Sequence, residues 1–395
     1  MSKLRELIDK YCPNGVEYKP LGDKDVSIMQ RGTSLTKKDS TEGIYPVISG
    51  GKTPAFYCDL SNRNGETITV AGSGAGAGYV QYWNEPIFVC DAFSIKGVGD
   101  VSTKYLYYCL VNMQEKIYAT KKGGGVPHVH ISSIDKFLIP IPPPPVQEEI
   151  VKILDRFAEY AAELQAELQA RQEQYEYYRN KLLTFNKIGG GIQGVIWMKM
   201  SEIGTFIRGN GLQKKDFTES GIPCIHYGQI YTHYGTFATK TKSYVSSETA
   251  KKCKKAHCGD LVFATVSENI DDVCKCVAWL GNEEICISGD SLAFSHNQNP
   301  KYIAYYFQTY AFARYKRSRV TGTKVIRLHQ SQLEQFEIPI PSLAEQARIV
   351  NILDKFERLV SDLVQGLPAE IAAVQEQYEY YRDKLLSFPE YKLSA

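Results

Sequence analysis

The residues best placed to do chemistry in this chain are lysines and arginines, which cluster beside glycine and recur at matched positions. "TKKD" at Thr36 has a counterpart in "QKKD" at Gln213, and "KKGGG" at Lys121 corresponds to the run from Arg317 to Lys324 in "RYKRSRVTGTK". A further cluster, "KKCKK", starts at Lys251. Cationic side chains next to glycine let positive charge and main-chain N–H groups approach one phosphate together. One such cluster usually does no more than solvate a surface. Recurrence in pairs, Lys37/Lys38 with Lys214/Lys215 and Lys121/Lys122 with the later run, favours a shared polyanion, and nucleic acid is the natural candidate. The charge balance agrees. Met198 to Glu337 holds 18 Lys+Arg against 13 Asp+Glu, whereas Pro20 to Pro140 holds 12 against 11, so a net charge of +2 conceals a basic second half.

Other chemistry finds little support. "AGSGAGAGYV" (Ala71 to Val80) lacks the Lys-Ser/Thr of a phosphate-binding loop and runs into the strand-like "YVQYW" rather than a helix, so a glycine hairpin is expected. Cys253, His257, Cys258, Cys274 and Cys276 do not form paired zinc knuckles, and no metal is expected. No G-x-S-x-G, H-E-x-x-H or paired-carboxylate constellation occurs, and the seven histidines show no ligand spacing. An Asp/Asn-Pro-Pro-aromatic motif of the kind that serves base methylation is also missing, so no catalytic residue is assigned.

The elements that carry these clusters come in two copies. "QYEYYRNKLLTF", ending at Phe185, and "QYEYYRDKLLSF", ending at Phe388, agree at ten of twelve positions. Upstream, at an offset of 199, Ile139 to Phe157 matches Ile338 to Phe356, and "GGGVPHVHISSIDKF" from Gly123 matches "GTKVIRLHQSQLEQF" from Gly322. "KYLYYCL" (Lys104) pairs with "KYIAYYF" (Lys301), and "RGTSLTKKD" (Arg31) with "RGNGLQKKD" (Arg208). The chain is one unit of nearly 200 residues written twice. Between the "KKD" and "KY" anchors the copies diverge in sequence and length, which suggests one scaffold with two different faces.

Each copy opens with short β-rich runs separated by Gly and Asn/Asp turns, such as "ETITVAG" and "DLVFATV", followed by a helical stretch. After the proline-rich "IPIPPPP" a long helix is expected from about Val146 to Phe185, spanning roughly 60 Å. Its seam steps by four and three through Ile150, Leu154, Phe157, Ala161, Leu164, Leu168, Arg171, Tyr175, Tyr178, Leu182 and Phe185, of which only Arg171 is not apolar. The second copy runs Ile349, Leu353, Phe356, Val360, Leu363, Leu367, Ile371, Val374, Tyr378, Tyr381, Leu385 and Phe388, with four extra residues and a kink expected at Gly366 and Pro368. The tyrosine-rich segments are the matching ends of two helices that are expected to pack against each other. Plain helix packing is the modest alternative for either helix alone.

The totals bound the class. At 395 residues with 43% hydrophobic and 23% charged residues, the chain suits a globular protein of two or three domains. No apolar run approaches the roughly 20 residues of a membrane span, and "MSKLRELIDKYCPNG" lacks a signal-peptide core, so a cytoplasmic location and reduced thiols for the ten cysteines are expected.

The doubled "IPIP…Q…IV.ILD.F" followed by a helix ending in "QYEYYR.KLL.F", downstream of a divergent domain, resembles the specificity subunit of type I restriction-modification systems across essentially the whole chain. The resemblance implies a mixed α/β architecture with two tandem target-recognition domains, separated by two long helices packed as an antiparallel coiled coil with a pseudo-two-fold internal repeat. The domains are expected at 1–140 and 198–340, the helices at 141–187 and 341–388, a linker at 188–197 and a tail at 389–395. It further implies double-stranded DNA, two modification (methyltransferase) subunits and restriction subunits as partners. S-adenosylmethionine, ATP and Mg would act on those partners, with no cofactor on this chain. Under this reading Arg31, Lys37, Lys38, Lys121, Lys122, Arg208, Lys214, Lys215, Arg317, Arg319, Lys324 and Arg327 are expected to contact DNA. Asn62, Arg63, Asn64, Gln229 and Asn269 are base-reading candidates by loop position. Two other classes stay open: an enzyme with a site hidden in one repeat, and a non-catalytic coiled-coil scaffold for protein interactions. The tandem "AELQAELQ" (Ala162 to Gln169) adds a ruler hypothesis, in which the helix sets the gap between DNA half-sites.

Overall fold

The computed structural model describes residues 2–185 and 195–391, so residues 188–194 of the expected linker and 392–395 of the tail lie outside the described residues. The chain forms two compact units, and the division cuts through both long helices. The first unit joins Met1–Ala166 to Leu367–Ala395, and the second is Glu167–Gly366. Each therefore contains one small domain, the start of one long helix and the end of the other.

In the first unit a four-stranded antiparallel sheet runs in the order Ser27–Arg31, Ala92–Gly97, Thr67–Ala71, Val80–Trp83. Every residue of Thr67–Ala71 is buried, which suits its β-branched composition. Its hydroxyls are matched: Thr69 Oγ1 accepts the Trp83 indole N–H at 2.9 Å and Thr67 donates to the Gly65 carbonyl at 3.0 Å. The glycine-rich stretch is indeed a hairpin, with Val70 opposite Val80. A small sheet of Phe56–Cys58, Tyr45–Ile48 and Phe88–Val89 stands beside it. The helix Thr103–Asn112 starts at Ser102, whose side chain accepts the Tyr105 N–H. It buries Tyr105, Leu106, Cys109 and Leu110 in a core with Ile68, Val70 and Ile95.

The second unit is built on two five-stranded sheets. One runs Gly204–Arg208, Ser291–His296, Leu261–Ala264, Cys276–Trp279, Phe237–Ala238; the other runs Phe217–Thr218, Ser243–Val245, Ile222–Ile225, Ile285–Ile287, Lys254–Ala256. The helix Pro300–Tyr306 carries Pro at its first position and Asn299 as its cap. Its core is aromatic, with Phe206, Phe263, Phe294, Tyr302, Tyr305, Phe307, Phe312 and Phe336 in one cluster. Cys274 and Cys276 belong to that cluster while Cys258 is exposed, and among the described residues no group of His, Cys, Asp and Glu is placed to hold a metal.

The repeated motifs now have physical reasons. The "IPIP" segments are ribbon strands, Leu138–Ile141 against Glu17–Pro20 and Glu337–Ile340 against Ile196–Lys199, two-stranded settings where proline is tolerated. The first tyrosine of each "KY" motif donates to a carbonyl there, Tyr105 to Pro140 at 3.0 Å and Tyr302 to Pro339 at 2.8 Å. Gln147 and Gln346, both buried, tie each long helix to its domain. Gln147 accepts the Ser102 N–H at 2.9 Å and donates to the carbonyls of Pro142 and Asp100. Gln346 accepts the Asn299 N–H at 3.0 Å and donates to Pro341 and Gln298. Lys104 pairs with Asp155 at 2.8 Å and Lys301 with Asp354 at 2.7 Å, while Tyr108 and Tyr305 donate to the same two carboxylates.

The long helices are Pro144–Leu182 and Leu343–Leu385, the second running uninterrupted through Pro368. In the first unit the two segments are antiparallel: Phe157 stacks on Tyr381 at 5.6 Å and Tyr160 donates to Glu370 at 2.6 Å. In the second unit Tyr178 stacks on Phe356 at 5.5 Å. Seam residues also close the domain cores. Ile150 and Leu154 join Leu385 and Leu386 in the first, and Ile349 and Leu353 join Leu183 in the second. Leu164, Leu367 and Val374 are buried, Leu168 and Tyr175 are half-buried, and the Val360 side chain lies outside the described residues. One expectation needs adjusting: Leu183 is buried more deeply than Leu182, because the helix ends at Leu182 and the following turn breaks the seam's period.

The tyrosine-rich ends follow the antiparallel arrangement. Each is held by the start of the other helix and by the domain attached to it. Arg382 donates to Asn112 at 2.8 Å in the first unit and Arg179 to Gln308 at 3.2 Å in the second, each guanidinium lying over a tyrosine ring, Tyr378 or Tyr175.

Candidate nucleic-acid interface

In the first unit the strand Ser27–Arg31 ends on exposed Arg31, and Gly32 then passes so close to the neighbouring chain that a Cβ would lie 2.1 Å from the Cys90 carbonyl oxygen. Only glycine fits, which explains the "RG" step. A cleft of about 230 Å³ opens there, lined by Arg31, Gly72, Asp91, His128 and His130. Ser73 donates to the Asp91 carboxylate. Lys122 and His128 close a hairpin with reciprocal bonds of 2.9 and 2.8 Å. Lys121, at its base, holds its ammonium 4.1 Å from the Tyr118 ring centroid, and Lys122 is exposed. Lys37 and Lys38 form an exposed single turn, reached by a segment in which Thr33 bonds to Val89 and Leu35 to Cys90.

The second unit rebuilds the arrangement. Arg208 ends the strand Gly204–Arg208, and a Cβ on Gly209 would lie 2.1 Å from the Ser288 carbonyl oxygen. Three expected contact residues converge on the turn at Gly289 and Asp290. Arg208 donates to the Gly289 carbonyl at 3.3 Å, Arg327 pairs with Asp290 at 3.2 Å, and Lys214 lines a cleft of about 310 Å³ with Asp290, His226 and Tyr227. Burial, reinforced by Lys214, holds the His226 pKa below its ordinary value, so the ring is neutral at pH 7. Lys215 is exposed beside Lys214. Thr321 and Arg327 close a hairpin equivalent to the first, with Lys324 exposed near its tip.

Other residues stand apart. Arg317 pairs with Asp271 at 3.7 Å, and Arg319 lies 3.9 Å over the Tyr315 ring. Lys316, within the same basic run, is buried and donates to the carbonyls of Asp271 and Val273, so it supports the fold. The base-reading candidates are mostly committed to the protein itself. Asn62 clamps both backbone groups of Val89, and Arg63 donates to Ser94, to the Asn62 carbonyl and to the Arg31 carbonyl. Gln229 caps His226 and bonds Ser243, and Asn269 bonds Asp272 twice. Asn64 accepts from Ser61. Several of these bonds go to residues distant in sequence within the same domain, Asn62 to Val89 and Arg63 to Arg31.

Sequence reasoning missed Asp91 and Asp290, the anchors of both faces. The signal available was the pair "CDAF" and "GDSL", each placing an Asp just before a six-residue strand. Together the faces offer exposed cations around a cleft with fixed backbone, suited to holding phosphate and approaching bases.

Residues 13–174 and 195–373 match the family described as type I restriction modification DNA specificity domain. The Escherichia coli type I restriction enzyme EcoR124I/EcoR124II specificity subunit is 30% identical over 427 residues, covering 98% of each chain. Among solved structures, the S subunit of a type I restriction-modification system from M. genitalium aligns over 94% of this chain and 96% of its own, at 17% identity and a TM-score of 0.55. A chain from a study of complex assembly and conformational transition of the type I R-M system aligns over 95% and 98%, at 18% identity and a TM-score of 0.60. These two likenesses concern the fold.

Proposed function

Because the chain belongs to the type I restriction-modification DNA specificity family, we propose that its two domains each read one half of a split DNA target. The observation that carries this reading is the rebuilt face: one strand end, one Asp turn and one hairpin in each domain, dressed with different residues such as His128 in one and Arg327 in the other. A shared frame with different side chains suits two half-sites of different sequence. Exposed lysines supply the sequence-independent grip on phosphate, and loops at the clefts supply the reading.

The finer assignments follow from the same reading. The chain docks two modification subunits and, where present, restriction subunits, and has no active site of its own. Methylation with S-adenosylmethionine and ATP-driven cleavage with Mg belong to those partners. It works in the cytoplasm beside the DNA; among the described residues no helix is long and apolar enough to cross a membrane.

The test is to co-express the chain with its modification subunit and map methyladenine by single-molecule sequencing. A motif of two short, different half-sites with a fixed gap is expected. An assembled complex that neither methylates nor binds DNA overturns the reading in favour of an interaction scaffold, and methylation by the purified chain alone overturns the assignment of catalysis to a partner.

A further inference from the structure

Each domain presents a solvent-exposed valine at the same place on the same hairpin. Val126 and Val325 are both 55% exposed. They lie on Lys122–His128 and Thr321–Arg327, each closed by two reciprocal backbone bonds and each carrying a left-handed glycine at its second position. Gly123 has φ +112° and Gly322 has φ +95°, and a Cβ there would lie 2.6 Å and 2.1 Å from the carbonyl oxygens of Val126 and Val325. The hairpin shape and its glycine are thus dictated by backbone sterics.

The valine is not dictated in that way. A lone exposed apolar side chain is ordinary. Here it stands twice at one tip while its neighbours have changed, Gly124 and Gly125 against Thr323 and Lys324, and Pro127 against Ile326. In the first hairpin Gly124 and Gly125 would meet nothing within 4 Å on gaining a Cβ, and neither has a positive φ, so the fold does not require glycine. A bare backbone at an exposed tip permits close approach by another molecule. Lys121 and Lys122 flank the first hairpin, and Lys324 and Arg327 belong to the second.

We infer that each hairpin enters the major groove of its half-site and sets its valine against the 5-methyl group of a thymine. This rests on the DNA-reading function proposed above. The groove is about 12 Å wide and admits a two-stranded β-ribbon, and thymine alone among the bases offers a methyl group at the groove edge. The flanking cations hold the phosphates on either side, while a β-branched tip without hydrogen-bonding atoms is matched to an apolar feature. Val126 and Val325 are then specificity-determining residues, one per half-site.

The experiment uses the complete complex with its modification subunits. The wild-type motif is mapped first, and target duplexes with uracil replacing each thymine in turn are then bound. Wild-type complex is expected to lose about tenfold in affinity at one uracil position in each half-site, the scale of one lost base contact. V126S should show a similar loss on normal DNA and no further loss at the uracil of the first half-site, while keeping full sensitivity in the second. V325S should show the reverse, and V126T and V325T, which keep one methyl group, should fall between. Wild-type affinity, motif and uracil sensitivity in both serine variants would overturn the inference while leaving DNA reading intact. A wild-type complex with no split motif would overturn both.

Discussion

Phe157 stacks on Tyr381, 224 positions along the chain, with centroids 5.6 Å apart and planes 26° from parallel. Phe356 and Tyr178 repeat the pair at 5.5 Å and 14°. Each stack joins a helix start in one repeat to a helix end in the other. Tyr381→Ala should therefore destabilise the first unit by about 1–3 kcal/mol, less than a fully buried aromatic would cost because the pair is only half-buried. Hydrogen exchange should show the faster opening in residues 103–118 and 144–160, and slowing there instead would contradict the stack's role.

Gln147 and Gln346 each satisfy three backbone or side-chain groups from a buried position. Replacing either by leucine keeps the volume but leaves donors and acceptors unpaired. Each change should cost about 2–4 kcal/mol in urea unfolding. A near-neutral result for either would mean that water reaches those groups.

Exposed and buried lysines should separate in a salt titration. Lys37→Ala with Lys38→Ala should reduce the slope of log affinity against log salt by about two, near 0.9 per lost phosphate contact. Lys316→Met should leave that slope unchanged and lower stability by about 1–3 kcal/mol, because it orphans the Asp271 and Val273 carbonyls. Equal slopes for wild type and the double variant would remove this turn from the DNA face.

His296 gives the second unit a pH signature. Burial pushes its pKa from the ordinary 6.5 down to about 4. Its Nδ1 accepts the Gln298 N–H at 3.0 Å, and the ring stacks on Phe294. The folded ring stays neutral where the unfolded ring takes a proton, so this contribution is complete above about pH 6.5 and falls away as pH drops towards 4. His226 shifts in the same direction. Urea midpoints measured from pH 7.5 to 4.5 should decline less steeply in His296→Phe than in wild type; parallel curves would assign the acid sensitivity elsewhere.

The tandem "AELQ" permits a length test. One more copy adds four helical residues, about 6 Å of rise and roughly 40° beyond a full turn, against about 3.4 Å per base pair. The methylated motif should keep both half-sites and widen its gap by one or two base pairs. An unchanged gap would end the ruler hypothesis.

What the sequence made legible was whatever repeats. The offset of 199 and the heptad steps located both helices and the two domains, because apolar periodicity is a direct record of which side is covered. Side-chain roles within loops were harder to read. Asn62, Arg63 and Gln229 look like reading residues in one dimension, yet their partners lie up to 32 positions away. Arg327 is legible in the sequence as a charge, and only the fold brings Asp290 to it. The doubled "KY" and the doubled glutamine could be seen as matched letters, but their partners, the Pro140 and Pro339 carbonyls and the helix caps at Ser102 and Asn299, could not.

The division of the chain has a consequence for its birth. The second unit is one continuous segment, whereas the first needs Leu385 and Leu386, which are made only after the second unit. Between Ala166 and Leu367 a ribosome must add 200 residues, which takes roughly 10–40 s at ordinary elongation rates. Throughout that interval Ile150 and Leu154 await the helix end that carries Leu385 and Leu386, so the nascent first half exposes apolar side chains while the second half is still being translated. Of the two units, the one whose synthesis starts earlier completes its folding later.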